Sequence, residues 1–196
     1  MWIHGLAKGH KNIFINKEQS EKNRNSGELR QDAIHRAFQN QQRRSRMIYK
    51  YGGATITILN VKHTGRIDVG PATTPTGEEV EVTSIERTLI DITVRPAYSG
   101  EVPKVLRAFR LARNRASISM VMALLEKLGY TYPYHQSIGF YLKHAGYNDA
   151  EQLLAKTRGI NFDFYLCHGL EDPAFDPDWR VFFPQKLQRM LVQPIS

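Results

Sequence analysis

The chain has 196 residues, 41% of them hydrophobic and 23% charged, a balance that supports a packed core and excludes wholesale disorder. No stretch approaches the ~18 to 20 apolar residues of a membrane-spanning helix, and the start Met1-Trp2-Ile3-His4-Gly5-Leu6 lacks the basic region and long apolar run of a secretory signal. Lys and Arg number 27 against 19 Asp and Glu, for a net charge of +8, which favours an acidic partner, either nucleic acid or an acidic protein surface.

In chain order, Asn12 to Asn16 reads as a short strand with Phe14 on one face and Ile13 and Ile15 on the other. Lys17 to Gly27 is polar and reads as a surface loop. Glu28 to Gln41 has a helical period through Leu29, Ala33, Ala37 and Phe38, with Ile34 alongside, and leads into the basic knot Arg43-Arg44-Ser45-Arg46. Met47 to Tyr51, Ala54 to Leu59 and Val80 to Val82 are rich in β-branched and aromatic residues and are expected as strands. Gly52-Gly53 supplies a tight hairpin turn between the first two, and Pro71 to Gly77 reads as a second turn region. Residues 1 to 82 are thus expected to form a small antiparallel sheet with one helix.

The remainder reads as helical. Ser84 to Val94 places Ile85, Leu89 and Ile92 on one face, and Arg95-Pro96 ends it, because proline pushes the preceding residue out of the helical region. Pro103 can sit in the first turn of the next helix, with Val105, Phe109 and Ala112 inward. Ser117 to Leu128 buries Ile118, Val121, Met122 and Leu125 and stops at Gly129. His135 to Ala145 buries Ile138, Tyr141, Leu142 and Ala145, with Gly146 as its cap. Asn148 and Glu151 have the spacing of a capping box. Phe162 to Leu166 alternates as a half-buried strand, and the tail after Leu170 is rich in Pro and Asp until Trp179 to Phe183. The expected architecture is one α+β domain spanning 1–196, a small antiparallel sheet with one helix packed on a helical half.

Residues that would assemble a reaction centre are missing from the usual patterns. The histidines at 4, 10, 35, 63, 135, 144 and 168 make no metal-ligand spacing with one another or with the single Cys167, so no metal and no cofactor are expected. His135 and His144 lie about 180° apart around one helix. No phosphate-cradling Gly-Lys loop and no nucleophile elbow occur. Asp68 precedes Glu78-Glu79-Val80-Glu81 without the lysine a nuclease site would need, so these glutamates read as a solvated turn and strand face. The chain is therefore expected to be a binding protein rather than an enzyme, in a reducing, cytoplasmic setting.

Lys104, Arg107, Arg110 and Arg113 recur every three residues opposite Val105 and Phe109, so neighbours in the row sit side by side and form a candidate surface for phosphate or carboxylate. Arg87 and Asp91, four apart, can pair across one helical turn and are read as pinning the helix. They fall within Thr83-Ser84-Ile85-Glu86-Arg87-Thr88-Leu89-Ile90-Asp91, where Thr83 or Ser84 serves as N-cap. Two more motifs follow, Arg95-Pro96-Ala97-Tyr98-Ser99-Gly100 and the run from Tyr132 through Tyr134 and His135 to Leu142.

In this order the three segments, with the Trp2-to-Leu6 start, resemble the antitoxin domain of the abortive-infection AbiEi family. The resemblance implies an antitoxin of a type IV pair that blocks a nucleotidyltransferase toxin without a stable complex. It also implies repression of its own operon through an N-terminal winged helix-turn-helix. Met1 lies almost at the entry to the antitoxin domain, so that reader is expected to be absent, which leaves the basic surface to carry any contact with DNA or RNA. A DNA-binding transcriptional regulator is the alternative reading.

Overall fold

A computed structural model describes residues 1–8, 11–21 and 28–191. His10 and the distal part of the polar stretch from Lys17 to Gly27 lie outside the described residues.

The α+β architecture is present, but the sheet is not the expected one. Three small sheets occur among the described residues. In the first, β3 (Ala54–Val61) is central, flanked by β1 (Asn12–Glu18) and β2 (Ile48–Tyr51). β2 and β3 form the antiparallel hairpin that Gly52 and Gly53 allow, with φ of 55° and 78°. β1 runs parallel to β3, so the sheet is mixed rather than antiparallel. A crossover carrying α1 (Gln31–Gln39) separates β1 from the hairpin, and such a connection returns the chain in the same direction. Register places Phe14 opposite Thr57, and Ile13 and Ile15 opposite Ile56 and Ile58, so the alternation read from sequence holds.

The second sheet is a hairpin of β4 (Val69–Thr73) and β5 (Glu79–Thr83). Sequence places a turn from Pro71, yet Pro71 lies in β4 opposite Glu81. A two-stranded sheet has only edge strands, where a missing N–H is tolerated.

Helices carry the core. α2 (Ile85–Val94) starts at Ser84, whose Oγ accepts from the Arg87 N–H at 3.0 Å. α3 (Glu101–Ala112) buries Val105, Phe109 and Ala112 completely. α4 (Ile118–Leu128) is capped by Ser117 and stopped by Gly129 in the left-handed region. α5 (Tyr134–Ala145) packs against α2, α3 and α6 (Asp149–Lys156), and the Asn148–Glu151 capping box is formed. No helix among the described residues is long and apolar enough to cross a membrane.

The third sheet lies in the Pro- and Asp-rich tail. It has the order β6 (Phe164–Tyr165), β8 (Val181–Pro184), β7 (Pro173–Asp176), followed by the short α7 (Gln188–Leu191). Between β7 and β8 the Trp179 indole is fully buried against α5. A Cβ on Gly139 would fall inside the van der Waals radius of that ring, so α5 has a glycine where the indole needs its space. One apolar cluster then runs from Leu6 to Leu187.

Candidate functional site

The basic row on α3 is divided. Lys104 and Arg107 are exposed, and no hydrogen bond or ion pair of theirs occurs among the described residues. Arg110 is half-buried, donating to the His144 carbonyl at 3.3 Å and the Met190 carbonyl at 3.1 Å. Arg113 donates to the Gly146 carbonyl at 3.0 Å. Both guanidinium groups thus reach backbone at the C-terminal end of α5, where carbonyls lack helical partners and the dipole favours a cation. Geometry explains the division: a step of three residues turns about 300° around a helix, so the row slips by about 60° per step and ends on the side opposite its start. Side-by-side neighbours are not one shared face, and the expected four-cation stripe is corrected to two exposed cations, Lys104 and Arg107, and two that bond backbone, of which Arg110 is half-buried and Arg113 stays exposed.

Arg87 and Asp91 sit where pinning requires them. Arg87 Nε donates to Asp91 Oδ1 at 2.9 Å and Nη1 to the Ile67 carbonyl at 2.7 Å, with the arginine side chain only 5% exposed. Burial raises the Asp91 carboxyl above its usual range, and the charges of Arg87 and Arg95 oppose that rise. The pair joins α2 to the segment entering β4.

The first motif meets the chain's start. His4 Nε2 lies 2.6 Å from the Thr83 carbonyl, Arg115 donates to the His4 carbonyl at 2.8 Å, and Glu86 accepts from the Ser117 N–H at 2.9 Å. Leu6 is buried in the core. In the third motif Tyr134 packs edge-on to Tyr130 and Phe164. His135 faces the Gly159 carbonyl at 2.7 Å, and burial lowers its pKa. Gln136, which sequence reasoning did not single out, is fully buried and donates to the carbonyls of Phe162 and Trp179 at 2.7 and 2.8 Å. The motif residues therefore fasten α5 to the C-terminal sheet.

His135 and His144 have separate partners, since His144 Nε2 lies 3.3 Å from Asp176 Oδ2. Among the described residues no three His, Cys, Asp or Glu side chains are grouped to hold a metal ion. Burial, with a smaller push from Glu101, raises the Cys167 thiol to about 12, so it is protonated at neutral pH and is a poor nucleophile. Glu81 pairs with Arg66, Glu78 bonds Thr74 and Thr76, and Asp68 bonds Ser84, so these acids are dispersed along the β4–β5 hairpin.

Two surface features remain. A cleft of about 720 Å³ opens between the ends of β1, β3 and α4, with Lys62, His63, Arg95 and Lys127 in its wall. Lys62 donates to the carbonyls of Leu128 and Gly129 at 2.8 and 2.6 Å, and Arg95 to that of Asn60 at 2.9 Å, so two of these cations tie the sheet to the helices. The second feature is the outward face of the first sheet, where Ile13, Ile15, Tyr49 and Tyr51 are exposed. No protein-family model matches the chain, and no curated protein matches it.

Proposed function

We propose that the chain is an antitoxin of a type IV, abortive-infection pair that opposes a nucleotidyltransferase toxin without performing chemistry itself. The observation supporting this reading is the convergence of the segments on which the resemblance rests. The Trp2-to-Leu6 start meets the helix start at Thr83 through the His4–Thr83 contact, and both segments share one apolar core with the third motif. A binding role also suits a surface with exposed, unpaired cations at Lys104 and Arg107 and a thiol held protonated.

The experiment is co-expression with a nucleotidyltransferase toxin of the type IV class. The intact chain restores growth, and Lys104→Ala with Arg107→Ala weakens rescue at equal protein level. A folded chain that leaves the toxin's effect on growth unchanged would overturn the proposal.

A further inference from the structure

The outward face of the first sheet has a composition that its packing does not explain. Alternation and register put Ile13, Ile15, Ile56, Ile58, Tyr49 and Tyr51 on this face. Thr57 and Leu59, on the opposite face, are buried. Tyr49 is 55% exposed and Tyr51 80%, while Ile13 and Ile15 are 43% and 48% exposed. Lys17, beside Asn60 in the register, lies at one end of this face, and Lys11, whose carbonyl accepts from the Thr55 N–H at 2.6 Å, lies at the other. Among its described residues the face has no carboxylate, since Glu18 points the other way and bonds the Thr64–Arg66 turn.

We infer that this face is a binding platform for single-stranded nucleic acid, with Tyr49 and Tyr51 stacking bases and Lys11 and Lys17 meeting phosphates. Two tyrosines alternate on one strand about 7 Å apart, so each can receive its own base. Lys11, just before β1, lies about 10 Å across the sheet from Tyr51, and Lys17 on β1 lies about 13 Å further along the strand than Tyr49, so the two would meet phosphates at separate points of a backbone running beside the stacked bases. Charge selects the occupant, because among the described residues the charged groups of the face are cations, on a chain of net charge +8. A second copy would set lysine against lysine.

The inference rests on the sheet alone and goes beyond the antitoxin proposal: failure to rescue from a toxin leaves it standing, and failure here leaves that proposal standing. The test is fluorescence anisotropy of the full chain with labelled RNA and DNA oligonucleotides of about 12 nucleotides, single-stranded and duplex. Single strands bind more tightly than duplexes, and the RNA and DNA arms show which is preferred. Tyr49→Ala with Tyr51→Ala weakens binding by about tenfold or more, and the double Tyr→Phe variant retains it. Lys11→Gln with Lys17→Gln makes the salt dependence shallower by about 1.4 in the slope of log K against log salt, from two lost phosphate contacts. This lysine pair gives an independent measurement should the alanine pair unfold. Failure of the wild type to bind single strands at low salt would overturn the inference. So would duplex binding as tight as single-strand binding, affinity unchanged in folded Tyr→Ala protein, or an unchanged slope in the lysine variant. Displacement of RNA by polyglutamate as efficient as by unlabelled RNA would also overturn it and assign the face to an acidic polypeptide.

Discussion

Gly139 shows how one residue's meaning depends on another forty positions away in the chain. In a helix interior, Gly→Ala ordinarily stabilises by up to about 1 kcal/mol. Here the added methyl enters the space of the Trp179 ring, so Gly139→Ala is expected to destabilise by about 1–3 kcal/mol through overpacking. The sign is the test: a denaturant midpoint that falls, with altered Trp179 emission, supports the packing, and one that rises refutes it. Asp176 gives a second prediction. Burial works against its charge, but hydrogen bonds from His144, Lys143 and the Trp179 N–H together hold its carboxyl well below the ordinary value of 3.8. A carboxylate with a depressed folded-state pKa contributes stability above its unfolded pKa and loses it as pH falls toward the folded value. Asp176→Asn is therefore expected to lower stability at neutral pH and to flatten the stability curve between about pH 5 and 2, as measured by urea unfolding across that range. The capping residues at this scale were legible in sequence, because a cap depends on its neighbours. The Gly139–Trp179 fit and the carbonyl partners of Gln136 were not, because each joins segments that only the fold brings together.

Among elements, helices were read most fully. Their apolar positions repeat with the helical turn, and Ser84, Ser117, Gly129, Gly146 and Asn148 mark ends that the structure confirms. Strands were harder. β4 contains Gly70 and Pro71, which signal a turn by local rules and are tolerated only because β4 is an edge. β7 and β8 are short pieces of a Pro- and Asp-rich tail whose pairing is long-range, and the parallel alignment of β1 follows from the route of the chain rather than from its own residues. α3 carries the misreading most relevant to function, since a spacing of three suggests a face but winds around the helix. The division of its cations predicts opposite behaviour at adjacent positions. Arg110→Ala removes bonds to two backbone carbonyls and is expected to cost about 1 kcal/mol, whereas Arg107→Ala, at an exposed site, is expected within about 0.5 kcal/mol of wild type. Thermal denaturation of the two variants decides it, and equal losses would show that Arg107 too is a tether.

For the whole molecule, the core is unevenly distributed. Completely buried apolar side chains come from α1 to α6 and the C-terminal sheet, while every residue of β2 and all but the last of β1 are exposed. Local opening free energy follows buried apolar contact, so backbone amides should sort by element. Amide hydrogen exchange is expected to be slow in Leu106–Phe109 and Ile138–Tyr141 and faster by orders of magnitude in Ile13–Asn16 and Ile48–Tyr51. Surfaces that bind are drawn from such weakly held elements, because a partner completes their packing. Saturating single-stranded oligonucleotide should therefore slow exchange selectively in β1 and β2, leaving the α3 and α5 amides unchanged. Protection spread evenly over all elements in the free chain would mean that the first sheet is as firmly held as the helical core, and that its exposed tyrosines sit on a rigid wall rather than on the molecule's least stable layer.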